Sequence, residues 1–399
     1  MLRFLTAGES HGPILTAILD GMPADVPLTA ADIDAELARR QQGYGRGGRM
    51  AIEQDHVHLG GGVVAGKTTG APIALLVENR DYRNWAQKAI APMTVPRPGH
   101  ADLTGAVKYG YRELRLSLER ASARETTMRV AVGAVCKRLL AAFGIQVQGY
   151  VTSIGAVDAD LPDLPDAASY QARFAAAEAS DVRCPDPAAT EQMHAAIRAT
   201  IQAKDTLGGI IEVAALGVPP GLGSHVQWDR KLDGQLLAAV GSVHSVKGVE
   251  IGRAFDLARQ RGTAVHDQIM RDADGNLVRQ SNRAAGLEGG ITTGAPIIVR
   301  AALKPIATTL TPLASVDLAS GEPRHIDYER SDFCQVPRGV PIIEAMVAFV
   351  LANALLEKIG GDSLGEMRPR FESLRRNHLA DLPMDNQTWQ FGYEYGLKD

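Results

Sequence analysis

The sequence is poor in cysteine, in aromatic residues and in net positive charge, and each shortage removes a class of function. Its 399 residues include three cysteines, Cys136, Cys184 and Cys334. Their spacing fits neither a disulfide framework nor a zinc site, so they read as reduced thiols of a cytoplasmic protein. Aromatic residues make up 5% of the chain, which leaves Ala, Val, Leu and Ile to build the core. The formal net charge of -4 argues against nucleic acid as the main partner. No uninterrupted apolar run reaches the ~20 residues that cross a bilayer, so no membrane association is expected. The opening "MLRFLTAGESHG" lacks the apolar stretch of a secretion signal. No histidine pair or carboxylate spacing invites a metal, and no GxSxG motif supports a hydrolase elbow.

Positive charge is present, but it is local. "RRQQGYGRGGRM" places Arg39, Arg40, Arg46 and Arg49 among four glycines. Glycines let the backbone fold round a ligand, and guanidinium forks match carboxylates or phosphates two bonds at a time. Cations this close repel one another unless an anion sits between them. An RGG-like nucleic-acid segment or a solvated loop are the plainer readings. The acidic chain and the short run disfavour the first and point to a small anionic ligand.

The chain repeats itself. "TTGAPI" occurs at 68–73 and again at 292–297, each time after a Gly-Gly pair. A strand, a Gly-x-Pro turn and a helix precede each copy, from Gly12 and from Gly208. Glu119-Arg120 and Glu329-Arg330 each lead into a long apolar helix. Three matches in one order imply an internal duplication of roughly 1–143 against 208–358 within a single domain spanning 1–399. Thr29 reads as a helix N-cap with Asp32 as its capping-box partner. The helices from about Glu125 to Gly144 and around "VPIIEAMVAFVLANALLEKIGG" are apolar nearly all round and must be buried on several sides. Pro341 suits the first turn of the latter. The fold class is α+β, a β-α-β sandwich with two buried apolar helices between sheets. Residues 158–205 read as a helical surface excursion, a candidate interface without chemistry of its own.

Five clusters could carry chemistry. "GESHG" holds Ser10 and His11, but neighbouring side chains on a strand point apart and do not make a dyad. "PRPGHADLTG" fixes His100 in a rigid turn. "LERASARETT" sets Arg120, Ser122 and Arg124 ahead of a helix, where backbone N–H groups favour anions. Its bland reading pairs Arg124 with Glu119 or Glu125. The arginine stretch is the fourth. The fifth lies in the second half: His244 and Ser245, the loop from Lys304 to Thr308, Arg330 and Asp332.

Taken together, "GESHG", "RPGHAD", "RASARET", "VKGVEIG", "KPIATT" and "RGVPIIEAM" resemble the chorismate synthase family along nearly the whole chain. The resemblance implies elimination of phosphate from 5-enolpyruvylshikimate 3-phosphate to give chorismate. It implies reduced FMN (FMNH2) without net redox change, NADPH as a possible reductant, and a homotetramer. It further implies that His11 keeps reduced flavin suitably protonated, that His100 donates a proton near the leaving phosphate, and that Asp332 assists proton removal at flavin N5. Substrate charges would meet Ser10, Arg40, Arg46, Arg49, Arg124 and Arg330, with Arg40 and Arg46 also near NADPH. FMN would meet Arg120, Ala121, Ser122, His244, Ser245, Gly289, Lys304, Pro305, Ile306, Ala307, Thr308 and Arg330. The family varies at the position of His244.

Two competing readings are an FMN oxidoreductase that consumes reducing equivalents, and an RNA-binding module built on the arginine-glycine stretch. Turnover without net NADPH loss separates off the first, steep salt-dependent RNA affinity unaffected by FMN would favour the second, and Arg49→Ala tests the substrate assignment. A charge-assisted bond to an anion is worth about 1.5–3 kcal/mol, so substrate affinity should fall roughly ten- to hundredfold while FMN affinity changes little. Equal loss of both ligands in a titration would contradict the assignment.

Overall fold

The computed structural model describes residues 1–45, 54–164, 166–326, 332–389 and 392. Strands β1 (Arg3–Ala7) and β2 (Ile14–Asp20) form a hairpin in which Leu15, Ala17 and Leu19 face the core and Ile18 faces out. Helix α1 (Ala30–Gln41) starts as its sequence indicates. Thr29 Oγ1 accepts the Asp32 N–H, and the Asp32 carboxylate accepts the Thr29 N–H at 2.8 Å. Strands β3 (Val57–Gly61) and β4 (Ile73–Glu78) complete an antiparallel sheet of order β1-β2-β4-β3. Helices α2 (Asp102–Tyr109), α3 (Arg115–Ala121) and α4 (Thr126–Ala141) follow.

The second half runs through β5 (Gln146–Ile154), α5 (Ala167–Ala179), α6 (Pro187–Gln202), β6 (Gly209–Leu216), α7 (Leu232–Gly241), β7 (Val246–Ile251), β8 (Ile297–Leu303), α8 (Val336–Ile359) and α9 (Leu364–Glu372). Its sheet has the order β5-β6-β8-β7, with a two-residue strand, Val157–Asp158, on the β5 edge. Strand for strand, this is the order of the first sheet.

The repeated "TTGAPI" does the same job in each sheet. Thr68 donates its hydroxyl to Pro23 O and accepts the Val26 N–H; Thr292 donates to Pro219 O and accepts the Leu222 N–H. Each threonine thereby locks a Gly-x-Pro turn to the hairpin that opens the third-placed strand of its sheet. Both hydroxyls are buried, so both of their bonds must be made within the protein.

Between the sheets, α4 packs on α8, and Gly133 permits the close approach. A Cβ on it would lie 2.2 Å from that of Ala345. Helix α4 also lies against β2 and β4, and α8 lies against β5, β6 and α7. The absence of a membrane-length run needs qualification here. Helix α8 is 24 residues long and contains an 18-residue window of mean hydropathy 2.0, enough by length and composition to cross a bilayer. It is instead the central core helix, enclosed by the strands and helices just named.

Pro341 also departs from expectation. It lies inside α8, five residues after the first helical residue, rather than in the first turn. Its missing N–H would have bonded Pro337 O; that carbonyl accepts Arg183 Nη1 at 2.7 Å instead. The same guanidinium donates to Arg39 O at the end of α1. Residues 158–205 are therefore more than surface. Tyr170 and Phe174 of α5 cover the outer face of the second sheet at Tyr150, Ala214 and Ile298, and Arg183 braces two helix ends.

Glu344 is the buried charge of the core. It accepts Arg39 Nη1 at 2.7 Å, Lys137 Nζ at 2.6 Å and the Gly149 N–H at 2.8 Å. Burial opposes its charge, but Arg39 and Lys137 outweigh burial and hold the carboxyl below its ordinary range. A carboxyl depressed on folding stabilises above its unfolded pKa, about 4.3, and loses that contribution as pH falls through the folded value. In urea unfolding, Glu344→Gln should therefore be weaker than wild type at neutral pH, and the gap should narrow below about pH 4. An unchanged gap at acid pH would show that the carboxylate charge contributes nothing.

Candidate active site

The first catalytic candidate sits where the β1–β2 turn meets α3. The Ser10 N–H donates to Glu119 O, and the His11 N–H donates to Glu119 Oε2 at 2.7 Å. The His11 ring lies 2.6 Å from Glu119 Oε1 through Nδ1 and packs on Trp85 at 4.2 Å between centroids. Burial works against the charge of Glu119, yet the hydrogen bonds from His11 prevail and keep its carboxyl below the usual range. Ser122 Oγ donates to Ser10 Oγ at 3.0 Å, which joins "GESHG" to "RASARET". Arg120 donates to Gly8 O and Thr6 O, so it pins the same turn from outside.

His100 is built on the same plan. Its Nδ1 lies 2.6 Å from Asp102 Oδ1, and Asp102 is wholly buried at the first residue of α2. Arg97 engages that carboxylate through its backbone N–H and Nε on Oδ2 and through Nη2 on Oδ1. Burial again opposes ionisation, and the bonds from His100 and Arg97 drive the Asp102 carboxyl far below its ordinary value.

The His100 turn rests on the second half of the chain. Lys304 Nζ donates to Gly99 O, Arg97 Nη1 donates to Thr308 Oγ1, and Ser315 Oγ donates to Pro96 O. Lys304 N donates to Ser245 O, where Ser245 takes a φ of +69°. This brings Ser245 and the Lys304–Thr308 loop against His100. Burial depresses the Lys304 ammonium, with Lys247 adding to the effect. His244 sits 3.7 Å from Glu125 Oε2, and burial lowers its pKa while Glu125 opposes that shift. Among the described residues, its buried Nδ1 has no hydrogen-bond partner.

A cationic wall closes the other side. Arg124 does not pair with Glu119 or Glu125. Its Nη1 bonds Asp55 at 2.7 and 2.8 Å and its Nε bonds Asn79, because the helix start turns it inward. Arg40, at the buried end of α1, donates to Thr126 Oγ1 and Ala123 O. Its Nη1 makes no hydrogen bond among the described residues and lies 3.5 Å from Asp55 Oδ2. Burial and the charges of Arg338 and Arg124, only partly offset by Asp55, lower the Arg40 pKa to about 9. Asp332 pairs with Arg338, which also donates to Arg40 O. Arg46, Arg49 and Arg330 lie outside the described residues.

The chorismate synthase family model matches residues 2–356. The chain belongs to the chorismate synthase family. It is 53% identical to the chorismate synthase of Pelobacter propionicus over 93% of this chain and 98% of that protein. It is 50% identical to the one from Aquifex aeolicus over 96% and 99%. A crystal structure of chorismate synthase superposes with a TM-score of 0.77 at 44% identity, covering 93% of this chain and 96% of that one.

The structure brings Ser10, His11, His100, Arg120, Ala121, Ser122, His244, Ser245 and the Lys304–Thr308 loop into one region, and Arg40, Arg124 and Asp332 into the wall beside it. It does not bring Gly289 there. Gly289 lies in the hairpin before β8, near His225, whereas Lys304 follows the other end of that strand, about 20 Å away by strand rise. Sequence reading passed over Asp102, Arg97, Asp55, Asn79, Trp85 and Arg338. Asp102 alone carried a signal, being two residues from His100 within "RPGHAD".

Asp55 is the counter-charge for both inward arginines, and its side chain is fully buried. Removing one member of a buried pair typically costs about 3–5 kcal/mol, because the partner charge stays buried. Asp55→Ala should show a loss of that size in urea unfolding. A loss under about 1 kcal/mol would mean that Arg40 and Arg124 do not depend on it.

Proposed function

We propose that this enzyme carries out a 1,4-anti elimination with reduced FMN held between its two halves. As a chorismate synthase it is a phosphate-eliminating lyase of the shikimate pathway, which converts 5-enolpyruvylshikimate 3-phosphate to chorismate. The supporting observation is the meeting of the His100 turn with the Lys304–Thr308 loop, next to His244 Nδ1, which makes no hydrogen bond among the described residues.

The residues fit FMN. Lys304, Thr308, Ser122 and Arg120 are cation and hydroxyl donors suited to a phosphate and a polar chain, and His244 Nδ1 is a buried atom without a hydrogen bond among the described residues. Arg330 belongs to the same assignment; Gly289, at the far end of β8, does not. When bound, reduced FMN supplies an electron that helps to expel the allylic phosphate and recovers it with the departing hydrogen, so net redox is unchanged.

The protein supplies position, charge and protons. The substrate carries two carboxylates and a phosphate. Arg40, Arg46, Arg49, Arg124 and Arg330, with Ser10, hold those charges. Asp55 neutralises only part of the charge on the inward pair, which leaves the wall attractive to an anion. His100 gives a proton to the leaving phosphate, and His11 holds one beside the flavin. Asp332 would accept a proton beside the flavin once its pairing with Arg338 relaxes. NADPH acts as reductant near Arg40 and Arg46.

The same reading includes a cytoplasmic homotetramer and a duplicated single domain. Leu5 is 79% exposed and Ile18 40% exposed on the outer face of the first sheet. The matching face of the second sheet lies under α5. A further copy of the chain is the occupant we assign to the open face.

His11→Ala and His100→Ala should each lower turnover by about 10²–10⁴-fold, the usual worth of a positioned acid or base. The assay is anaerobic, with excess photoreduced FMN, and FMN binding should survive both changes. Full turnover by either variant would make its histidine structural. NADPH consumed in step with chorismate would instead favour an oxidoreductase.

A further inference from the structure

His11 and His100 lie on different loops and share no sequence context. Each nevertheless turns Nδ1 toward a carboxylate at 2.6 Å. Both carboxylates are held ionised, and so they accept rather than donate. Arg97 Nη2 also lies 2.9 Å from His100 Nδ1, but it has Asp102 Oδ1 as an acceptor at 3.0 Å, and the nearer carboxylate oxygen at 2.6 Å requires a proton between it and Nδ1. Each imidazole then keeps its proton on Nδ1, and Nε2 is the nitrogen left for exchange. We infer that Glu119 and Asp102 are positioning residues that fix both histidines in the Nδ1–H form, so that Nε2 alone exchanges protons with the ligands. The inference rests on the proton-carrying roles proposed above for the two histidines.

The proton balance is simple. A doubly protonated ring gives its Nε2 proton to an oxygen of the leaving phosphate. The Nδ1–H bond to the carboxylate stays intact, and a neutral Nδ1–H imidazole remains. In the opposite tautomer the neutral ring would present N–H to the site and could not take a proton back through that atom.

The two carboxylates are tied down differently, and the difference sets the test. Asp102 Oδ2 accepts two N–H groups of Arg97, from its backbone and its Nε. Oδ1 accepts one, from Nη2. In Asp102→Asn the amide oxygen satisfies more donors on the Oδ2 side, which turns the NH2 toward His100 Nδ1 and leaves Arg97 Nη2 to shift. Glu119 Oε2 accepts the fixed backbone N–H of His11. In Glu119→Gln the amide oxygen must remain there, and the NH2 again faces Nδ1. An imidazole facing an N–H donor adapts by moving its proton to Nε2. Each isosteric change should therefore swap the tautomer of its own histidine and leave the other unchanged.

Imidazole ¹⁵N shifts of the full chain, without ligands and at a pH where the rings are neutral, read this directly. The expected result is Nδ1–H for both rings in wild type, Nε2–H for His100 in D102N, and Nε2–H for His11 in E119Q. Anaerobic turnover of 5-enolpyruvylshikimate 3-phosphate with photoreduced FMN should fall roughly 10- to 1000-fold in kcat for each variant, within the worth of a positioned acid. KM should change little, since neither carboxylate is placed on the substrate. Nε2–H rings in wild type would overturn the inference, as would wild-type kcat in a variant whose tautomer has swapped. If His11→Ala and His100→Ala also turn over normally, the proton-carrying reading itself falls. If they fail while D102N and E119Q do not, only the positioning role falls. The two variants are independent, so failure of one to fold leaves the other to decide.

Discussion

Glu344 is the contact on which the rest of the architecture depends. It belongs to α8 of the second half, and its ligands come from α1, α4 and the backbone of β5. A lone carboxylate at that depth would be far too costly to bury, so the cations must be present and correctly placed. The charge therefore demands that the halves meet in one register. An apolar contact between α4 and α8 could slide by a turn at modest cost; a carboxylate with three fixed donors cannot. The residue after Arg39 is Arg40, whose side chain points to the other side of α1 and into the site. Fixing one guanidinium in the core fixes the next one against Asp55.

That coupling explains why an inward-facing arginine can be held in place at the end of a helix. Helix ends fray, because their last carbonyls lack partners. Here Arg183 donates to Arg39 O and Arg338 donates to Arg40 O, so the terminal carbonyls are satisfied by side chains from elsewhere in the chain. Arg338 also holds Asp332. The end of α1 and the segment before α8 thus share one guanidinium, and a shift in either would be felt by the other.

Much of this was legible in the sequence, and what was not has a common cause. The repeated motif could be read because both halves need the same buried threonine to lock the same turn, a local requirement that leaves a local motif. His11 and His100 were visible because glycine and proline around them mark rigid turns. The plainer reading of Arg124 paired it with Glu119 or Glu125, its neighbours in sequence. Its partner Asp55 is 69 positions away, beyond the reach of spacing arguments. Pro341 was misplaced for the same reason. The donor that satisfies Pro337 O lies 154 positions away, and without it a proline inside a core helix looks untenable. Glu119 was seen only as half of an Arg-Glu run, although its carboxylate turns inward to His11.

The two halves are not equivalent, and their inequality has a mechanical sense. The segment between them covers the outer face of the second sheet with Tyr170 and Phe174, while the corresponding face of the first sheet keeps Leu5 and Ile18 exposed. The same segment sends Arg183 inward to brace α1 and α8. Covering the second sheet is what anchors it firmly enough to deliver that guanidinium, since an unsupported loop would have to order a long side chain at a large entropic cost. One insertion thus completes the second half and stiffens the first at the point where the arginine stretch begins. Tyr44 continues this bracing. Its N–H donates to Asp181 O and its ring packs on His194. The base of the stretch is therefore held by the insertion on one side and by α8 on the other. The two halves supply sheets of the same strand order, and the segment between them supplies a rigid base for the cations on one side only.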